Sequence, residues 1–335
     1  MKILGIETSC DETSASVIVD HSDPSSRLLS NVVLSQIKEH ERYGGVIPEI
    51  AARNHLFHIS SVVEEALTKA KTTLQEIDYL AVTAGPGLIG GVLVGVMYAK
   101  GLSQSLNVPL LGINHLEGHA LVPRLLEDIP FPFLLLLVSG GHCQFLEVKG
   151  VGHYKLLGST IDDAIGEAFD KVAKMMNLPY PGGPALEKLA KEGNENAFDL
   201  PKPLYYEKNA NLSFSGLKTA IKNIIDKNQP LTQNFKCNMA SSFQKTVAKI
   251  LQKKTTFILE QYPFERMVIA GGVAANQYLK SELLKTVTDF NGKLFTPPLS
   301  LCTDNAAMIA WAGIERLKAG YLPEPFTPRP RWPLS

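Results

Sequence analysis

A strand, a polar turn and a returning strand occur twice in this chain, once at its start and once near its middle. Lys2-Ile3-Leu4-Gly5-Ile6-Glu7 is an apolar run, Thr8-Ser9-Cys10-Asp11-Glu12-Thr13-Ser14 a polar turn, and Ala15-Ser16-Val17-Ile18-Val19 a second apolar run. Phe133-Leu134-Leu135-Leu136-Leu137-Val138, Ser139-Gly140-Gly141-His142 and Cys143-Gln144-Phe145-Leu146-Glu147-Val148 repeat the pattern without repeating the residues. Runs rich in β-branched and apolar residues that are separated by a short polar turn pair as antiparallel strands. Further strands are expected at 29–36, 77–84, 109–113, 154–158, 266–270 and 293–296. An amphipathic helix is expected at 50–70, a helix of small residues at 92–106, and further helices at 162–176, 237–262 and 304–319. Alternating strands and helices behind two copies of one hairpin predict an α/β protein of two duplicated lobes, with a nucleotide site in the cleft between them.

Several function classes are excluded early. The 33 basic and 33 acidic residues cancel, so no global field marks the chain as a nucleic-acid binder, and any RNA contact must be local or shared with a partner. Cys10, Cys143, Cys237 and Cys302 contain no Cys-x-x-Cys pair, which argues against a disulfide framework or zinc ribbon and for a reducing compartment. Glu7 interrupts the first apolar run too early for a signal-peptide core, and the run 133–138 is too short to cross a membrane. A cytoplasmic protein with no membrane contact is expected.

The chemistry concentrates in Asn114-His115-Leu116-Glu117-Gly118-His119-Ala120. His115 and His119 are four apart and share one face of a helix, so both imidazoles can reach one divalent ion. The best third ligand is Asp304 in Leu301-Cys302-Thr303-Asp304-Asn305, where Thr303 is expected to cap the last helix and Asp304 to project from its start. Two histidines and one carboxylate leave open positions, as a working metal needs. Glycine-rich junctions follow the strands at 85–91 and 271–272, and 182–183 opens another helix. Such junctions let a nucleotide approach backbone amides. None is a Walker loop, because no Gly-Lys-Ser/Thr follows.

Ten stretches in order resemble one family over nearly the whole chain. They are 5–13 (Gly-Ile-Glu-Thr-Ser-Cys-Asp-Glu-Thr), 43–49 (Tyr-Gly-Gly-Val-Ile-Pro-Glu), 85–88, 115–119, 138–142, 166–171 (Gly-Glu-Ala-Phe-Asp-Lys), 180–184, 214–219 (Phe-Ser-Gly-Leu-Lys-Thr), 270–276 and 302–305. Together they are similar to the TsaD family, the tRNA N6-adenosine threonylcarbamoyltransferases, and to its bacterial and organellar branch. The resemblance implies a two-lobed actin/Hsp70/sugar-kinase-like fold. Residues 1–128 would form an N-terminal lobe completed by a helix at about 304–325, residues 129–303 the second lobe, and 326–335 an extended tail. It implies transfer of threonylcarbamoyl from threonylcarbamoyl-adenylate to the N6 amine of adenosine 37 in tRNAs reading ANN codons, with AMP released. By position, His115, His119 and Asp304 would hold one divalent metal per subunit, with Fe2+ the usual assignment and Zn2+ or Mg2+ the alternatives. Leu137, Val138, Ser139, Gly140, Gly141, Asp170, Gly183, Glu187 and Asn276 would bind the adenylate. The implied partners are tRNA, a TsaB-like paralogue paired through the N-terminal lobe, and a TsaE-like ATPase. A TsaC-like enzyme would supply the adenylate, and the organellar branch implies a homodimer instead.

Asp11 or Glu12 is expected to relay the amine proton, since their turn would face the same site. His142 is read as a hydrogen bonder beside the metal rather than a fourth ligand, and Cys302 as a buried thiol. Lys245, Lys249, Lys253 and Lys254 on one helix, and Arg316, Lys318, Arg329 and Arg331 near the C-terminus, are the basic groups available to RNA. Three rival readings compete: a metalloprotease, a sugar kinase and a non-catalytic nucleotide-dependent scaffold. The first is disfavoured because a zincin needs Glu directly after the first His, whereas Glu117 comes two residues after His115.

Overall fold

A computed structural model describes residues 1–335, which divide into two compact units. The first comprises Met1–Pro130, Gly150–Tyr154 and Pro297–Ser335, and the second Phe131–Lys149 and Lys155–Thr296.

In the first unit β1 (Lys2–Glu7), β2 (Glu12–Val19), β3 (Leu28–Ser35), β4 (Tyr79–Gly85) and β5 (Leu110–Asn114) form a sheet in the order β3-β2-β1-β4-β5. The hairpin neighbours run antiparallel, while β1–β4 and β4–β5 are parallel and joined through helices. Alternation along β1 separates two cores. Leu4 and Ile6 face the helices Pro48–Lys69 and Ile89–Leu106, sharing a cluster with Val62, Val63, Val92 and Val96. Gly5 faces the other way, where a Cβ would lie 2.4 Å from Ala306 O, and this bare backbone lets the helix Ala306–Lys318 rest on the sheet. The C-terminal segment carries no helix or strand and is bound along this unit. Arg329 N–H donates to Ala84 O (2.7 Å), Gly87 N–H to Pro330 O (3.2 Å) and Asn114 Nδ2 to Trp332 O (3.2 Å).

The second unit repeats the arrangement. β6 (Phe133–Val138), β7 (Cys143–Gly150), β8 (His153–Ser159), β9 (Arg266–Ala270) and β10 (Lys293–Phe295) lie in the order β10-β9-β6-β7-β8, the mirror listing of the first sheet. β6 pairs antiparallel with β7 and parallel with β9. The helix Gln233–Gln261 starts four residues earlier than expected because the Thr232 hydroxyl accepts from Phe235 N–H and caps it.

Two further helix starts differ from the sequence-based expectation. The helix expected from 162 begins at Ile165. Asp162 lies before it, and its carboxylate accepts from the Ser213 hydroxyl, Phe214 N–H and Ser215 N–H, serving the start of the next helix, Ser215–Lys227. At the other site the cap is Asn305, not Thr303. Its Oδ1 accepts from Met308 N–H (3.1 Å), and its Nδ2 donates to Thr303 O (2.7 Å). An asparagine caps at least as well as a threonine, and this places Asp304 just outside the helix. No helix is long and apolar enough to cross a membrane.

Candidate active site and metal centre

Asn114 ends β5 and caps the short helix His115–Leu121, its Oδ1 accepting from Leu116 N–H (2.9 Å). The cap fixes the first helical turn, and with it the directions of His115 and His119, whose rings meet edge to face at 4.7 Å. Asp304, projecting before the closing helix, completes the group. His119 Nε2 lies 3.1 Å and His115 Nε2 3.4 Å from the same Asp304 oxygen. The three ligand atoms lie within 4.8 Å of one another. Two borderline nitrogens and one carboxylate oxygen facing one point suit a divalent transition metal with positions left for a substrate. His119 Nδ1 is buried without a hydrogen-bond partner, so the ring's polar contact is made through the nitrogen aimed at Asp304.

His115 is held from behind. Its Nδ1 is 3.0 Å from Glu7 Oε2 and 3.1 Å from Ser9 Oγ. Glu7 is fully buried, and its carboxylate also accepts from Ser9 N–H and the Thr83 hydroxyl, so its lone pairs are satisfied. A carboxylate on the far nitrogen fixes the tautomer that leaves Nε2 free for a metal. Burial works against every charge here, and mutual attraction outweighs it. His115 is raised well above its ordinary range by Asp304 and Glu7 against desolvation. Glu7 and Asp304 are both held below the usual carboxylate range, mainly by His115, although burial alone would raise them. Glu7 was not among the residues expected at the site. An acid ending an otherwise buried strand was the available signal, since such a group needs a charged partner.

Asp11 and Glu12 belong to the turn beside this group. The Glu12 carboxyl is raised well above its usual range, first by burial and then by the charges of Asp11 and Asp304. Cys10 is pushed up for the same reasons, and burial alone pushes the Cys143 thiol up to about 12, so neither is a poised nucleophile. Cys302 is buried and donates to Pro297 O. Glu117 points away from the ligands. Its carboxylate takes Arg316 Nη1 (2.7 Å), the Tyr154 hydroxyl (2.9 Å) and Gly152 N–H (3.2 Å), which leaves no zincin-type base on the metal side.

In the second unit the expected adenylate residues gather at the carboxyl ends of the parallel neighbours β6 and β9, where open α/β sheets bind ligands. Leu137 and Val138 are the last residues of β6. Ser139 closes the following turn, its N–H donating to His142 O (2.8 Å) and its hydroxyl accepting from His142 N–H (3.1 Å). Gly140, Gly141 and Gly183 have open space where a Cβ would stand. Asp170 accepts from Gly182 N–H (2.8 Å), and Glu187 from Gln277 N–H (2.8 Å). Asn276 caps the helix Gln277–Asp289 and donates to Gln244 Oε1 (3.1 Å), so its side chain shapes this edge from within. Gly271 has φ +95°, and a Cβ there would lie 2.4 Å from Val138 O, a position open only to glycine.

The basic patches are less free than their sequence implies. Lys254 is buried and donates to the carbonyls of Leu204, Glu207 and Asn209, while Lys245 pairs with Glu195 at 2.8 Å. Arg316 is committed to Glu117 and Lys318 to Asp20.

A family model for TsaD, tRNA N6-adenosine threonylcarbamoyltransferase, matches residues 27–311. The chain is 53% identical over 342 residues to the tRNA N6-adenosine threonylcarbamoyltransferase of Rickettsia bellii, covering all of this chain and 99% of that one. It is 50% identical over 344 residues to that of Sinorhizobium medicae, covering all of this chain and 96% of the relative. The chain belongs to the TsaD family. It is a transferase, and the reaction of its family is threonylcarbamoyl transfer to tRNA. Solved structures agree on the fold at low identity. HypF of T. kodakarensis aligns with TM-score 0.61 and 14% identity over 95% of this chain and 48% of that one. Component A of the Acidaminococcus fermentans (R)-2-hydroxyglutaryl-CoA dehydratase aligns with TM-score 0.56 and 12% identity over 96% of this chain and all of the other. These likenesses and the two matching sheets establish the expected two-lobed actin/Hsp70/sugar-kinase-like class.

Proposed function

We propose that this TsaD-family chain takes the threonylcarbamoyl group from threonylcarbamoyl-adenylate, places it on N6 of adenosine 37 in ANN-reading tRNAs and releases AMP. The observation that carries the reading is the convergence of His115, His119 and Asp304, backed by Glu7, in a chain whose relatives share its full length. His115, His119 and Asp304 would hold a divalent ion, which would supply Lewis-acid polarisation of the carbamoyl carbonyl and offset developing negative charge. Iron is the proposed occupant, with zinc and magnesium as alternatives to be distinguished by analysis.

The remaining steps belong to the chain's own groups. Glu7 holds His115 in the tautomer that ligates. Asp11 or Glu12, in the segment beside the His115–His119–Asp304 group, is the proposed acceptor of the adenine amine's proton. The turn Ser139–Gly141, the open backbone at Gly183, and Asp170, Glu187 and Asn276 make the proposed adenylate cradle, with Leu137 and Val138 beneath it. The partners proposed are the tRNA, a TsaB-like paralogue and a TsaE-like ATPase, with the adenylate supplied by a TsaC-like enzyme and homodimerisation as the alternative to the paralogue. Leu56, Phe57, Ile89, Leu93 and Met97 stand exposed on the helices Pro48–Lys69 and Ile89–Leu106, an apolar face of the kind a paralogue's helices would cover. The cytoplasm is the proposed location.

Reconstitution with threonine, bicarbonate, ATP, an unmodified ANN-decoding tRNA and the partner proteins tests the reading. Threonylcarbamoyladenosine at position 37 and AMP in equal amounts are the expected products. Transfer of the ATP γ-phosphate to a small hydroxyl substrate, with no modified nucleoside, would favour the sugar-kinase alternative.

A further inference from the structure

The turn between β1 and β2 is held largely by the two helices whose outer faces are apolar. Leu88 N–H donates to Ser9 O (2.7 Å), His55 Nε2 meets Cys10 O (3.0 Å), and Thr8 Oγ1 donates to Gly91 O (2.8 Å). Gln36 N–H takes the next carbonyl, Asp11 O (3.2 Å). His55 is fully buried, and its Nδ1 faces the Gln36 amide nitrogen (3.3 Å) and the Thr13 hydroxyl (2.8 Å). An amide nitrogen only donates, so Nδ1 is the acceptor and the ring proton sits on Nε2, against the Cys10 carbonyl. Burial holds this histidine below its ordinary pKa, consistent with a neutral ring. At Gly91 the three elements touch. A Cβ there would lie 2.2 Å from Thr8 O and 3.1 Å from His55 Cδ2.

This buried joint has two sides. Inward, the same turn supplies Ser9 Oγ to His115 Nδ1 and carries Glu12. Outward, His55 is followed directly by Leu56 and Phe57, which are 70% and 81% exposed, and Gly91 lies between the exposed Ile89 and Leu93. A subunit pressing on that outer face therefore bears on residues bonded to the turn, with no flexible segment between. We infer that His55 is a positioning residue that couples occupancy of the Leu56–Phe57–Leu93 face by a second, apolar-faced subunit to the geometry of the Thr8–Glu12 turn. The inference rests on the partner reading proposed above. It adds that the partner acts on the metal-side geometry through one named hydrogen bond.

Hydrogen exchange at amides 8–12 tests it, measured with and without the TsaB-like paralogue, whose affinity is determined on the same samples. Two-state coupling through rigid elements changes equilibria about 5- to 150-fold, so partner binding is expected to slow exchange at these amides by at least about fivefold. His55→Asn, which withdraws the donor from Cys10 O, is expected to bind the paralogue with unchanged Kd and to lose that response. His55→Gln, whose amide nitrogen can reach the same carbonyl, is expected to restore it. Thr8→Val removes the parallel bond to Gly91 O without a change of volume, and is expected to weaken the response if the asparagine protein is unstable. With Co2+ as a spectroscopic probe, the ligand-field bands are expected to shift on partner binding in wild type and His55→Gln only. Binding of the paralogue to wild type with neither an exchange nor a spectral response overturns this inference alone. An asparagine protein that responds as wild type does so too, and failure of the paralogue to bind wild type overturns both this and the partner reading.

Discussion

A histidine ligates a metal well only when its other nitrogen is held, and here a buried glutamate does the holding. Glu7→Gln keeps the shape but removes the charge facing His115, so metal affinity is expected to fall about 10- to 100-fold, as for other partners of metal-binding histidines. Competition titration against a chelator, with circular dichroism to verify the fold, measures it. The same pair makes metal uptake pH-dependent. Against the burial that opposes it, the charges of Asp304 and Glu7 raise His115 well above its ordinary range, which favours the protonated ring before metal binds. Metal binding must then release that proton, and apparent affinity is expected to rise with pH until the raised value is passed. The stability linkage has the opposite sign for the two kinds of group. The stabilisation from protonated His115 is full below its unfolded pKa and is lost as pH rises through the raised value. That from Glu7 and Asp304 is present above the ordinary carboxylate range and is lost as pH falls through their lowered values. Calorimetry in buffers of different ionisation enthalpy counts the proton, and its absence at pH 7 would contradict this charge state. That His115, His119 and Asp304 come together was legible in sequence because histidine spacing and residue chemistry are local signals. Glu7 was not, because its partner lies 108 positions away and only the folded sheet brings them together.

At the scale of elements, helix starts carry the site more than helix bodies do. Asn114 caps the helix of the histidine pair, Asn305 the helix behind Asp304, and Asn276 the helix at the proposed adenylate edge. Asn305→Ala is expected to cost about 1 kcal/mol in urea unfolding, the usual value of a lost cap, and to weaken metal binding through Asp304 next to it. Lys254 makes a second case. It looked like one of four exposed lysines, yet Val247, Leu251, Lys254 and Ile258 fall on one buried stripe of the helix Gln233–Gln261. A charge-counting reading missed that periodicity. Lys254→Met leaves three carbonyls of the 204–209 loop without their donor and is expected to cost about 2 kcal/mol. Lys245→Ala, at a partly exposed ion pair at the surface, is expected to change stability by less than about 1 kcal/mol. Equal effects of the two substitutions would contradict the buried assignment.

For the molecule as a whole, the repeated hairpin was the readable part of the fold, because apolar runs and polar turns report strand pairing directly. Strand order was not readable, since the parallel pairs β1–β4 and β6–β9 join residues far apart in the chain. The family resemblance supplied what local pattern could not, and the relatives' full-length identity supports it. Zero net charge, with Arg316, Lys318 and Lys245 already paired, predicts that this chain alone binds tRNA weakly and gains most of its grip from partners. Anisotropy titrations over a range of salt concentrations, with and without those proteins, measure that gain. The most direct measurement is metal content by mass spectrometry in wild type, His115→Ala, His119→Ala and Asp304→Ala, each also assayed for tRNA modification. One divalent ion per wild-type chain, lost together with activity in all three folded variants, is the predicted result. A full equivalent of metal retained by the variants would contradict the account.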